Sequence, residues 1–264
     1  MFCHSFAPTE FCPGLTGCGP DTALEAYCRG RTGLLADDGA RWAALILPGG
    51  SYRRIAPAEG EPVALAFAAA GVQAFVLRYS VLPARWPQPF WEAACAMAFL
   101  RGRAEELGFA PNRVAVCGFS AGGHLAGWLA GHWNDPALDG LGLTPEQVRP
   151  DAAILAYPVV HQQTLLEPVR DWQALRLDGP PVPNHPPVFL WATGEDRTVP
   201  AENTLDYALA LRRGGVPLEL HLFARGPHAM GLADRESARD EEHYNAHAAA
   251  WHGLCVDWLR RREG

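Results

Sequence analysis

From residue 42 onward, short apolar runs alternate with longer stretches of helical period, and few architectures accommodate that pattern. WAALILP (42–48), VQAFVLRY (72–79), RVAVCGF (113–119), AAILAYP (152–158), PVFLWAT (187–193) and LELHLFA (218–224) are strand-like. Between them, AEGEPVALAFAAAG (58–71), PFWEAACAMAFLRGRAEELG (89–108), AGGHLAGWLAGHW (121–133) and AENTLDYALALRRGG (201–215) read as helices, and 241–261 as a terminal helix. Strands separated by helices of this length need right-handed crossovers. The expected fold class is therefore α/β, with a mostly parallel central sheet and helices on both faces. Residues 1–40, rich in Gly, Pro and Cys, show no clear period and read as a leading arm packed on the domain. With no internal repeat and no long linker, residues 1–264 form one domain.

Composition narrows the partners. The chain has 264 residues, 48% of them hydrophobic, and a formal net charge of −7. Its basic residues are scattered apart from Arg260, Arg261 and Arg262, which read as the positively charged end of a helix. Nucleic acid is excluded as a partner, because phosphate binding needs a concentrated basic surface. No apolar run approaches the roughly 20 residues that span a bilayer, so no membrane is expected either. The N-terminus lacks a basic region followed by an apolar stretch, which argues against a signal peptide and for a reduced, cytoplasmic protein. Of the seven cysteines, Cys95 and Cys117 lie in apolar segments and read as small core residues. Cys3, Cys12 and Cys18 are close in sequence but lack a paired second half, so no metal site is expected. The pattern leaves a homo-oligomer open.

Two stretches, 134–150 and 159–186, break the alternation, the second ending in the proline-rich DGPPVPNHPP. Both leave the C-terminal ends of strands, where open parallel sheets hold ligands.

VAVCGFSAGG (114–123) carries the chemistry. Gly118-Phe119-Ser120-Ala121-Gly122 matches G-x-S-x-G between a strand and a helix, the context of a nucleophile elbow; a packing turn is the alternative. A serine hydroxyl needs a base. His228, in a glycine-rich loop after the last strand, can reach the same sheet edge. His124 is expected to pack or bond locally, and His221, His243, His247 and His252 to be structural or solvated. His161 and His185 lie in the long loops, where they could meet substrate. The base needs a carboxylate, and ATGEDRTVP (192–200) offers Asp196, with Glu195 as runner-up. ILPGGSY (46–52) ends an early strand with two glycines whose amides could face an oxyanion.

These segments, with YPVV (157–160) and GEDRTVPAENTLDYALALRRGGVPLELHLFARGPHAMGLA (194–233), resemble the esterase/lipase branch of the α/β-hydrolases. The likeness is to small bacterial acetyl esterases of the acetylxylan esterase-like kind, with little or no cap. The resemblance implies a Ser120–Asp196–His228 triad, with oxyanion donors on the amides of Gly50, Ser51 and Ala121. Two positions depart from the pattern. Ser51 replaces a third glycine, so its amide is expected to serve only if its φ is negative, and Ala229 stands where glycine often follows the histidine. The implied activity is hydrolysis of short acyl esters, first of all acetyl groups on sugars or oligosaccharides, without cofactor or metal. Tyr52, His161 and Trp172 are the candidate substrate contacts. Trp86, Trp91 and Trp133 could line the pocket but fit core or lid packing better. The same triad would serve a peptidase, lactonase or formamide hydrolase, although a peptidase of this fold carries a filtering domain for which this chain has no room. A non-catalytic binder on the same scaffold is the remaining alternative.

Overall fold

The computed structural model describes residues 2–30, 33, 40–161 and 172–262, excepting the side chains of Phe2 and Trp172. Eight strands form one sheet in the order β1-β2-β4-β3-β5-β6-β7-β8. They are β1 (Phe2–Phe6), β2 (Ala23–Cys28), β3 (Ala43–Leu47), β4 (Gln73–Arg78), β5 (Val114–Phe119), β6 (Ala152–Ala156), β7 (Val188–Thr193) and β8 (Leu218–Phe223). The first two run antiparallel to their neighbours, and every pairing from β4 to β8 is parallel.

The leading arm is thereby corrected: two of its segments are sheet strands. ALEAYC alternates half-buried and buried residues along β2, the signature of a strand with one face on the core. The central strands β3, β5, β6 and β7 are buried at every position, because helices cover both faces. The remainder of the arm between 31 and 39, apart from Gly33, lies outside the described residues, as does 162–171 of the long loop.

Short helices α1 (Pro8–Phe11), α4 (Ala104–Leu107) and α6 (Pro145–Val148) accompany the longer α2 (Glu61–Ala69), α3 (Gln88–Gly102), α5 (Ala121–Gly131), α7 (Glu202–Arg213) and α8 (Ala250–Arg260). On one face Leu45, Val116 and Leu155 pack with Phe90 and Met97 of α3, Leu125 and Leu129 of α5 and Leu211 of α7. On the other Ile46, Cys117 and Ile154 pack with Phe67 of α2 and Trp251 and Leu259 of α8. The connections leaving adjacent strands β3 and β5 therefore depart to opposite faces, and such a divergence opens the crevice where an open α/β sheet holds its ligand.

Two further expectations are corrected. The terminal helix starts at Ala250 rather than near 241. Asp240 accepts the amides of Glu242 and His243, and Asn245 those of His247 and Ala248, and such side-chain acceptors favour turns over helix. Cys95 is buried in the core as expected, but the reading of a reduced protein is corrected: it is disulfide-bonded to Cys12, with Cα atoms 5.2 Å apart, which fastens the N-terminal segment to α3. Among the described residues, no group of three or more His, Cys, Asp or Glu side chains could hold a metal ion, and no helix is long and apolar enough to cross a membrane.

Candidate active site

Ser120 sits at the junction of β5 and α5 with φ 54° and ψ −118°, a conformation non-glycine residues seldom adopt. Its amide donates to the Ala156 carbonyl at 3.0 Å, and its carbonyl accepts from His124 and Val159. Gly122 is required by close approach: a Cβ there would lie 2.0 Å from the Leu47 carbonyl oxygen. The turn thus packs directly on β3.

The loop after β8 brings His228 to the serine. Its Nε2 lies 2.8 Å from Ser120 Oγ, and its Nδ1 lies 2.6 Å from Asp196 Oδ2. Asp196 follows β7, and its Oδ1 accepts the amides of Thr198 and Val199 at 2.9 and 2.8 Å. The carboxylate is therefore aimed by its own turn. With Nδ1–H given to Asp196, the neutral ring presents Nε2 as acceptor for the serine proton. Glu195 instead accepts from the Gly226 amide, 3.2 Å away. All three expected residues meet at one edge of the sheet. Ala229 takes φ 64°, so the position that favours glycine holds alanine in the left-handed region.

The loop after β3 carries Gly50 and Ser51, whose amides are the expected oxyanion donors. Gly49 O accepts from Ala56 N, and Gly50 O from Arg53 N and Arg54 N. In a planar trans peptide the N–H points opposite to the C=O, so the amides of Gly50 and Ser51 face away from this internal turn. Ser51 has φ 57°, so the condition set for its amide, a negative φ, is not met. Rotation about N–Cα does not reorient the residue's own N–H, which belongs to the preceding peptide plane. Ala121 is the first residue of α5, where an amide has no helical carbonyl partner.

The expected substrate contacts fare less well. Tyr52 is buried, 3% exposed, and its hydroxyl lies 2.8 Å from His124 Nδ1, so it belongs to the core. His161 Nε2 lies 3.0 Å from Asp206 on α7, and His185 bonds Pro186 O and Tyr207. Trp86 stacks on Phe90, Trp91 donates to Ala137 O, and Trp133 lies under Arg149, all packing roles. The Trp172 side chain lies outside the described residues. A polar cleft of about 760 Å³ opens instead beside Asp196 and His228, lined also by Glu195, Arg197, Arg225, Glu242 and Asn245.

His124 is not a local contact, as the sequence suggests, but a long-range one. Its Nε2 donates to Leu175 O at 2.7 Å, which leaves Nδ1 to accept from Tyr52. Burial pushes the imidazole down from 6.5 to about 4, with the Leu175 carbonyl opposing. The unfolded chain takes up a proton here between these values and the native protein does not. Stability from this group is complete above 6.5 and falls as pH drops toward 4, by about 3 kcal/mol in all. Thermal unfolding across that window should show a shallower acid slope for His124→Gln than for the parent.

Comparison with known proteins places these features in a family. The family model described as BD-FAE matches residues 58–161. Endo-1,4-beta-xylanase B of Butyrivibrio fibrisolvens is 33% identical over 217 residues, covering 76% of this chain and 34% of that protein. The chain thus spans about a third of that curated relative. Among solved structures, an acetyl ester-xyloside bifunctional hydrolase from Caldicellulosiruptor lactoaceticus has a TM-score of 0.73 and 32% identity, covering 92% of this chain and 89% of that one. An alpha/beta hydrolase enzyme from a Medee basin deep-sea metagenome library has a TM-score of 0.81 and 30% identity over 99% of this chain and 97% of its own. The chain belongs to the esterase/lipase branch of the α/β-hydrolases.

Proposed function

We propose that the protein is a serine carboxylesterase that removes short acyl groups, acetyl above all, from hydroxyl-rich alcohols such as sugars or oligosaccharides. The observation that carries this reading is the chain of contacts from Asp196 through His228 to Ser120. His228 takes the Ser120 proton as Oγ attacks the ester carbonyl, and the amides of Gly50, Ser51 and Ala121 receive the developing oxyanion. His228 then protonates the departing alcohol, and water, activated by the same ring, releases the acid from the acyl-enzyme. The xylanase B and the acetyl ester-xyloside hydrolase among the relatives support a carbohydrate ester.

Turnover of p-nitrophenyl acetate, butyrate and octanoate tests acyl size. The reading expects kcat/KM to fall with chain length, by about tenfold or more from acetate to octanoate, since even one methylene misfitted to a small pocket costs about 1–3 kcal/mol. Equal or rising efficiency with length would overturn the short-acyl assignment.

A further inference from the structure

Glu59 is an acidic side chain with only 1% exposure, in the short turn between the oxyanion loop and α2. Its two oxygens face two different donors. Oε2 accepts the Gly49 amide at 2.7 Å, and Oε1 accepts the Tyr157 hydroxyl at 2.9 Å. That hydroxyl accepts the Gly231 amide at 2.9 Å, three residues beyond His228, so its proton is directed to Glu59. The Tyr157 ring meets the His228 imidazole edge-on, with centroids 5.1 Å apart. Loop and elbow are in contact as well: a Cβ on Gly49 would lie 2.7 Å from Glu59 Oε2 and 2.9 Å from Ser120 Cβ. One carboxyl group therefore ties together the loop bearing the Gly50 and Ser51 amides, the end of β6, and the loop bearing His228.

We propose that Glu59 is a positioning residue for the hydrolytic reaction, holding the oxyanion loop and the histidine loop in register around Ser120; this rests on the esterase reading above. The donor pattern specifies the residue type. Both groups facing the fork are donors, and a carboxylate offers an acceptor to each. Glutamine offers one acceptor and one NH2. If the NH2 faces Gly49, two donors collide and the loop moves. If it faces Tyr157, the hydroxyl must accept twice and its proton is stranded in the interior. Burial pushes the Glu59 carboxyl above its ordinary range, while the Gly49 amide, His228 and the Tyr157 hydroxyl pull the other way. The fork is held against that desolvation because each of its bonds fixes a piece of the site.

The test compares the parent with Glu59→Gln, Tyr157→Phe and Ser120→Ala. It reads kcat and KM for p-nitrophenyl acetate, the inhibition constant of a methyl trifluoromethyl ketone that adds to serine as a tetrahedral oxyanion, and the melting temperature. Loss of donor alignment acts on the transition state, so Glu59→Gln should lower kcat by about 10- to 100-fold with KM changed less than about threefold. The ketone should weaken by a factor that follows kcat/KM. Tyr157→Phe, which leaves the Gly231 amide unpaired and Oε1 empty, should show the same split, about tenfold. A folded Glu59→Gln protein with parental kcat and ketone affinity would overturn the proposal. If Glu59→Gln fails to fold, parental values in Tyr157→Phe overturn it and the same split supports it. Turnover at the parental rate in Ser120→Ala sinks the esterase reading itself, whereas a Ser120→Ala reduced to background beside a parental Glu59→Gln sinks only this inference.

Discussion

Ser120→Ala is expected to lower kcat on a short-chain ester on the order of 10⁶-fold, while the protein melts within a few degrees of the parent. The loss is confined to chemistry for a structural reason. The strained turn at Ser120 is held by backbone bonds to Ala156, His124 and Val159, none of which uses the hydroxyl. The residue is 4% exposed and alanine fills nearly the same volume. What disappears is the one nucleophile within 2.8 Å of His228 Nε2. Kinetics on an unactivated acetate ester, with the melting curve beside them, read this directly. Activated esters react with stray nucleophiles and would understate the effect.

Asp196→Asn should cost about 10⁴ in kcat, because it reverses which imidazole nitrogen carries the proton. Asp196 presently accepts from three donors: His228 Nδ1 and the amides of Thr198 and Val199. Asparagine must turn an NH2 toward one side of that set. Facing His228, it forces the proton onto Nε2, which can then no longer take the serine proton. Facing Thr198 and Val199, it sets donors against donors and dislodges the turn after β7, at about 1–3 kcal/mol of stability. Either result slows the reaction without removing the nucleophile, so the variant should keep slow acylation where Ser120→Ala has none. A pre-steady-state trace of alcohol release distinguishes the two. An Asp196→Asn enzyme with parental kcat would remove the aspartate from the proposed mechanism.

Much of this was legible in the residues. Strands β3 to β8 fall within one or two residues of their apolar runs: β3 to β7, covered by helices, leave near-continuous apolar segments, while the edge strand β8 shows the alternation of LELHLF. The first two strands were not legible. FCHSF mixes Cys, His and Ser on a sheet edge, and ALEAYC shows its alternation over six residues only. The site divides in the same way. Ser120, Asp196 and His228 each stand in a short glycine-marked turn at a strand end, which a sequence displays. Glu59 does not differ from Glu61 on paper, both acids preceding an apolar helix. Yet Glu59 is buried and Glu61 exposed, because one meets Tyr157, 98 residues away, and the other meets solvent. Tyr52 adjoins the oxyanion loop in sequence, but its hydroxyl is claimed by His124, 72 residues on. Contacts of that separation leave no local pattern.

The central claim is that Ser120 carries the acyl group between the two half-reactions. Rapid acid quench of the enzyme during turnover of p-nitrophenyl acetate, followed by proteolysis and peptide mass spectrometry, measures it. The account predicts one added acetyl group on the peptide containing Ser120, fragmenting to that residue and absent from Ser120→Ala. Parental turnover with acetyl found elsewhere, or with Ser120→Ala acetylated at the same rate, would contradict it.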